Sequence, residues 1–228
     1  MPNLDRYKTE HYHHTRILTE MAKKGKFITF EGGEGCGKST HIDRLVTRLR
    51  QDGYQVLIAR EPGGTNVGEQ IRHILQYSKQ SSAMVPETEL LLFCASRAQL
   101  VREVIEPALS DGHVVICDRF FDSTTVYQGV GRKITPQAVA AINTFAVGAN
   151  VPDLTLVIDL DPRVGLERAR GRDLFDRMEN QSLDFYDRVR QGYLDLARRE
   201  AQRVKVIDGS RSIEVIEKQI WDQVKSVL

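Results

Sequence analysis

The sequence predicts an α/β fold in which a parallel sheet of five strands is covered by helices on both faces. Three observations predict it. Short apolar runs at residues 27–30, 55–59, 114–117, 154–160 and 204–207 show no sustained polar alternation, as expected of strands buried on both sides. Segments with helical periodicity separate them, the alternation that builds parallel sheets. The first run leads through a glycine-rich turn into a helix, in KFITFEGGEGCGKST at residues 26–40.

In chain order, Ile42, Leu45, Val46 and Leu49 recur at helical spacing after that turn, and Gly53 ends the helix. The strand at 55–59 (QVLIA) runs into REPGGT at 60–65, a turn-rich segment, and a helix follows at about 67–77. Pro86 opens a long helix to about residue 110, apolar on much of its surface and so mostly buried. The strand at 114–117 delivers Asp118 and Arg119 at its carboxyl end. Thr135 and Pro136 read as N-cap and first residue of a helix to about residue 147. After the strand at 154–160 come a basic helix and loop, then a helix at about 183–201, the strand at 204–207 and a helix at 213–227.

The spacing Gly32, four residues, Gly37-Lys38-Ser39 is that of a phosphate-binding loop. Its glycines let successive N–H groups aim at one point, and the helix opening at Lys38 adds the positive end of its dipole. Residues 32–40 (Gly32, Gly33, Glu34, Gly35, Cys36, Gly37, Lys38, Ser39 and Thr40) therefore bind a nucleoside triphosphate. Lys38 reaches the β and γ phosphates and the Ser39 hydroxyl ligates Mg²⁺. Asp118 ends an apolar strand as a metal-holding acid does, but so does Asp159, and spacing alone leaves both as candidates. The adjacent Arg119 favours Asp118, since the pair serves metal and phosphate together.

Arg163, Arg168, Arg170, Arg172 and Arg177 form the densest cationic stretch. For Arg163 and Arg168 a solvated helix face is the simpler reading. Gly171 breaks the helix and places Arg172 on a loop able to close over a triphosphate, the lid expected at about 163–180. A base-reading Asn-Lys-x-Asp motif after the fourth strand is missing, which argues against a GTPase.

The 228 residues carry a formal net charge of +1, so nothing global points to nucleic acid or an anionic membrane. The apolar runs all fall short of the ~18 residues needed to span a bilayer. The three cysteines, Cys36, Cys94 and Cys117, lack metal spacing and fit a reducing, cytoplasmic setting. The first twenty residues are polar, with His11, His13 and His14 read as part of a solvated tail. Residues 1–20 are expected to be a disordered extension ahead of a start at Met21, with 21–228 a single domain.

The stretches FEGGEGCGKST, REPGGT, ELLLFCASRAQ, DRFFDSTTVYQG and RARGRDLFDRMENQSLDFYDRVRQGY, in this order, resemble thymidylate kinases of the bacterial type from about residue 26 to 228. REPGGT and DR-x3-S-x3-YQ are not general features of phosphate-loop proteins. The resemblance implies the P-loop nucleoside-monophosphate-kinase fold with a short lid, and transfer of the γ-phosphoryl of ATP to dTMP, giving dTDP and ADP for dTTP synthesis. It also implies Mg²⁺ and a homodimer.

Position by position, the resemblance makes Phe93 the ring that stacks on thymine and Arg97, one turn on, a donor to a base carbonyl. Without it, Phe93 as core and Arg97 in an ion pair would be equally good readings. Arg60 and Arg119 match the positions that grip the dTMP phosphate, and Glu34 an acid near the acceptor's 3′-hydroxyl. Ser123, Thr124, Tyr127 and Gln128 match the lining of base and sugar, with Tyr127 excluding a ribose 2′-hydroxyl; Asp208 and Gly209 match a loop near adenine. Members with glycine at the Gly35 position draw their arginines from the lid, which implicates Arg170, Arg172 and Arg177. Lys38, Arg119 and these lid arginines are the expected catalytic cations. Two alternatives stay open: a kinase of this fold acting on another nucleoside monophosphate, and an ATP-binding switch without a small acceptor.

Overall fold

The computed structural model describes residues 25–78, 81, 83–169 and 181–228. Five parallel strands form one sheet in the order β2-β3-β1-β4-β5, where β1 is Lys26–Gly32, β2 Val56–Arg60, β3 Val114–Asp118, β4 Leu154–Asp159 and β5 Val204–Asp208. The register aligns their carboxyl ends: Phe30 and Arg60 lie opposite Asp118, Gly32 opposite Ile158, and Asp159 opposite Asp208. Each ending predicted to carry chemistry thus opens on one edge of the sheet, where ligands of such folds collect.

Successive strand residues point to opposite faces, so β1 serves two cores. Ile28 and Phe30 pack with α1 (Lys38–Gln51), through Ile42, Leu45, Val46 and Leu49, and with the C-terminal helix Ile213–Val224, through Ile216 and Ile220. Phe27 turns the other way, onto Leu100, Val101, Ile105 and Phe120. Thr29 and Glu31 share that second face, and both are fully buried polar residues near the functional edge.

Between these lie α2 (Asn66–Gln76) and α3 (Pro86–Leu100). The predicted long helix is continuous, but it widens to π geometry at Val101–Ile105 before α4 (Glu106–Ser110). Pro107 in the first turn of α4 has no N–H to give, which accounts for the local loss of regular pairing. Beyond β3, α5 (Phe121–Thr124) continues as a wide helical segment, Thr125–Gly131, where the sequence pattern gave no regular element. Its β-branched residues and two glycines are poor helix formers. Burial of Val126 and Tyr127 against α8 (Leu183–Arg199) overrides that preference. The remaining helices are α6 (Pro136–Val147), α7 (Pro162–Ala169) and α9, the C-terminal helix.

Candidate functional site

A cavity of about 310 Å³ opens at the carboxyl edge of β1, β2 and β3. Its wall includes all of residues 34–40, Arg60, Phe93, Asp118, Arg119, Ser123, Thr124, Tyr127 and Gln128. Residues as far apart in sequence as Glu34 and Gln128 therefore face one space.

At one end is the glycine loop. Gly37, at φ 96°, is the N-cap of α1 and offers no side chain to its first turn, and no acid occupies that turn. The helix N–H groups and dipole are left for an anion. A Cβ at Gly35 would lie 2.0 Å from the Gly165 carbonyl oxygen of α7, so any larger residue there would push α7 away. Lys38 is buried, with Nζ donating to the carbonyls of Gly33 at 2.9 Å and Gly32 at 3.4 Å. The ammonium is thus held over the loop's hollow by weak partners that a phosphate can replace.

The two candidate acids differ in their partners. Asp159 is closed by Arg190, whose Nε and Nη2 donate to its two oxygens at 2.7 and 2.9 Å. Asp118 Oδ1 is buried and has no hydrogen-bond partner, and its residue lines the cavity together with Ser39. An orphaned carboxylate oxygen near a hydroxyl is a donor set that fits Mg²⁺, a cation that takes few protein ligands and keeps waters.

The other end is built from side chains. Arg119 adopts φ 69°, a left-handed conformation uncommon outside glycine. The turn sends its guanidinium back across the cavity, where Nη1 donates to Gly32 O at 2.9 Å and Nη2 to Glu34 Oε1 at 2.7 Å. Tyr127 donates to the same Glu34 oxygen at 3.2 Å, and burial pushes its phenol well above the usual range, so it stays a donor at neutral pH. Arg60 is half exposed and is aimed by Glu69, both of whose oxygens accept from its Nη2, at 2.8 and 2.9 Å. Phe93 is half-buried and lines the cavity.

Arg97 requires a correction. It does not line the cavity; its side chain is 1% exposed and all five N–H donors are engaged. Nε and Nη2 hold Glu61, Nη2 also reaches Thr124 Oγ1 at 2.8 Å, and Nη1 reaches Asn143 Oδ1 at 2.9 Å and Cys94 Sγ. The contact to Cys94 Sγ, at 3.5 Å, is the weakest of these. One helical turn separates Arg97 from Phe93, but its guanidinium sits behind the wall, on Glu61 and Thr124, which themselves line the cavity. Glu61 is buried beside it, and burial pushes its carboxyl up against the pull of Arg97.

Gly32 and Gly33 lie behind the loop, against Val157 and Ile158, rather than on the main cavity. Asp208 and Gly209 sit at the end of β5, with Asp208 engaged by Ser210 and Arg211 and Gly209 N bonded to Asp159 O. Neither lines the cavity. Arg163 and Arg168 are exposed on α7, as a solvated face requires, whereas Arg170, Arg172 and Arg177, most of the expected lid and the first twenty residues lie outside the described residues.

The pattern missed four contributors. Arg72, on α2, lines the cavity and donates to Pro62 O at 2.8 Å. Glu61 buttresses Arg97, and the Glu61–Pro62 peptide is cis. Glu31 accepts from Phe120 N, Ser123 N, Ser123 Oγ and Tyr193 Oη, pinning the segment after Arg119 to β1. Glu89 is buried and holds Gln128. The available signal was an acid inside an apolar run, in TFEG and in PETELLLF.

Residues 30–220 match the family model described as thymidylate kinase. The thymidylate kinase of Geobacter sulfurreducens is 51% identical over 196 residues, covering 83% of this chain and 92% of that protein. That of Deinococcus radiodurans is 46% identical over 198 residues, covering 87% and 95%. Among solved structures, thymidylate kinase from Ehrlichia chaffeensis superposes with a TM-score of 0.72 at 32% identity, covering 88% of this chain and 98% of that one. A shared phosphate loop alone would not extend to the last helix. This chain belongs to the thymidylate kinase family.

Proposed function

We propose that the protein transfers the γ-phosphoryl group of ATP to dTMP, giving dTDP and ADP. The observation that carries this reading is the single cavity with a triphosphate loop at one end and, at the other, three arginines, aromatic side chains and an amide. A switch protein without a small acceptor has no use for the second set. The attacking oxygen belongs to a phosphate monoester, already ionised near neutral pH because its second pKa is about 6. The reaction therefore needs no general base, and Glu34, paired with Arg119, is free to position rather than to abstract a proton.

The chemical task is to bring two polyanions into line. Lys38 and the N-terminus of α1 hold the donor phosphates, and Arg119 and Arg60 hold the acceptor phosphate. Phe93 carries the base, Ser123 and Thr124 border it, and Tyr127 closes the space beside the sugar. Ser39 and the free oxygen of Asp118 would hold Mg²⁺, which neutralises charge on the β and γ phosphates when bound. Arg170, Arg172 and Arg177 complete the cation set from the lid. Among the described residues no helix is long and apolar enough to cross a membrane. Three free, buried cysteines support a reducing compartment, and the exposed Phe145 on α6 supports a homodimer.

A coupled assay of ADP release tests the reading, with ATP, Mg²⁺ and each nucleoside monophosphate in turn. The expected result is turnover with dTMP far above the others and none without Mg²⁺. ATP hydrolysis indifferent to dTMP would overturn it.

A further inference from the structure

Gln128 is the amide on the cavity wall nearest the chemistry of base choice, and its own orientation is imposed from behind. Its Nε2 donates to Glu89 Oε1 at 2.8 Å, and both side chains are 1% exposed. Glu89, in the first turn of α3, is itself fixed by Arg132, whose Nε and Nη2 reach its two oxygens at 3.1 and 3.2 Å. Arg132 in turn donates to Gln181 at 2.8 Å and lies over the Phe185 ring. An ionised carboxylate can only accept, so Gln128 must turn its NH₂ to Glu89. The amide oxygen is then the atom left for a ligand.

We propose that Glu89 is a positioning residue that sets base choice, by locking Gln128 so that the cavity offers a hydrogen-bond acceptor to the ring edge. This rests on the reading of dTMP as acceptor. A ring lying on Phe93 with an N–H at that edge, as thymine has at N3, meets the amide oxygen as a donor. Cytosine presents a lone pair at the same atom, so two acceptors would face each other in a buried place. Sites that must leave a buried polar group unpaired reject the wrong ligand by about 10⁴-fold. Rotating the amide would relieve the clash, but it would set the Gln128 oxygen against Glu89.

The test compares kcat/KM for dTMP and dCMP in the wild type, Glu89→Gln and Glu89→Asp. In Glu89→Gln the new carboxamide can receive either end of the Gln128 amide. The dTMP-to-dCMP ratio is expected to fall at least tenfold, through a rise for dCMP. Glu89→Asp keeps an acceptor-only partner and is expected to retain most of the ratio. An unchanged ratio in a folded Glu89→Gln protein, equal losses for both substrates, or the same collapse in Glu89→Asp would each overturn the proposal. Should Glu89→Gln fail to fold, Gln128→Leu decides. It removes the read-out atom while keeping the Glu89–Arg132 pair, and a ratio that survives it sinks the idea. A wild type inert towards dTMP would instead remove the functional reading beneath it.

Discussion

One end of the cavity is walled by seven consecutive residues, 34–40, the glycine loop and the first turn of α1 with its one lysine. At the other end the side chains come from β2, α3, the turn after β3 and the helical segment beyond it, and the polar ones are aimed by partners. Glu69 aims Arg60, Glu34 and Gly32 aim Arg119, and Glu89 aims Gln128. A contiguous loop carries its geometry in its own glycines. A dispersed site depends on buried acids and their cations, so its shape and the stability of the core are one problem. The donor end should therefore tolerate changes in the core that the acceptor end does not.

The largest effects should come from the cation each end cannot replace. Lys38→Ala and Arg119→Ala are each expected to lower kcat by about 10²–10³-fold, the cost of removing one preorganised group facing developing charge. The two should differ in binding. Loss of Lys38 leaves dTMP affinity nearly unchanged, whereas loss of Arg119 weakens it as well. Steady-state kinetics with both substrates varied would show this, and an unchanged kcat in either variant refutes the assignment.

Arg97 and Phe93 sharpen the contrast within one helix. Arg97→Ala strands the Glu61 carboxylate in the core, which typically costs about 3–5 kcal/mol of folding stability. Denaturant unfolding should show that loss. A variant of normal stability whose only fault is weak dTMP binding would return Arg97 to the base. Phe93→Ala should do the reverse, removing about 1–3 kcal/mol of stacking with the base. A rise of about 5- to 150-fold in the dTMP dissociation constant is expected, with ATP affinity unchanged.

The same contrast explains what could be read from the sequence. Gly32, Gly37, Lys38 and Ser39 were legible because the chemistry requires fixed spacing along one chain. The five strands were legible because burial on both faces excludes polar residues. Arg60 and Arg119 stood out only as cations at strand ends, and the roles of Phe93 and Gln128 came from the resemblance alone. The destination of Arg97 depends on whether a buried acid lies within reach of its guanidinium, which only the packed fold reveals. The choice between Asp118 and Asp159 likewise turned on Arg190, 31 residues beyond Asp159. The helical segment at 121–131 was missed because tertiary burial outweighs the propensities of its residues.

The smallest predicted effect concerns Glu31, which links the two ends. Its carboxyl is pushed up to about 7 by burial, and by the neighbouring Asp122 carboxylate, against the pull of its own hydrogen bonds. The folded protein therefore holds a proton at pH 6 that the unfolded chain, titrating near the ordinary value of 4.5, has released. The stability this lends is complete below that ordinary value and is lost as pH rises through about 7. Glu31→Gln is neutral at every pH and keeps an acceptor for Phe120 N and Ser123 N. Its stability relative to wild type should rise between pH 5 and 7, by at most about 1.4 kcal/mol per pH unit, the limit for one proton. Urea unfolding of both proteins across that range measures the gap directly. A gap independent of pH would mean that Glu31 stays ionised throughout, its charge held by Arg119 and the four donors around it, and that the two ends are joined by a permanent anion.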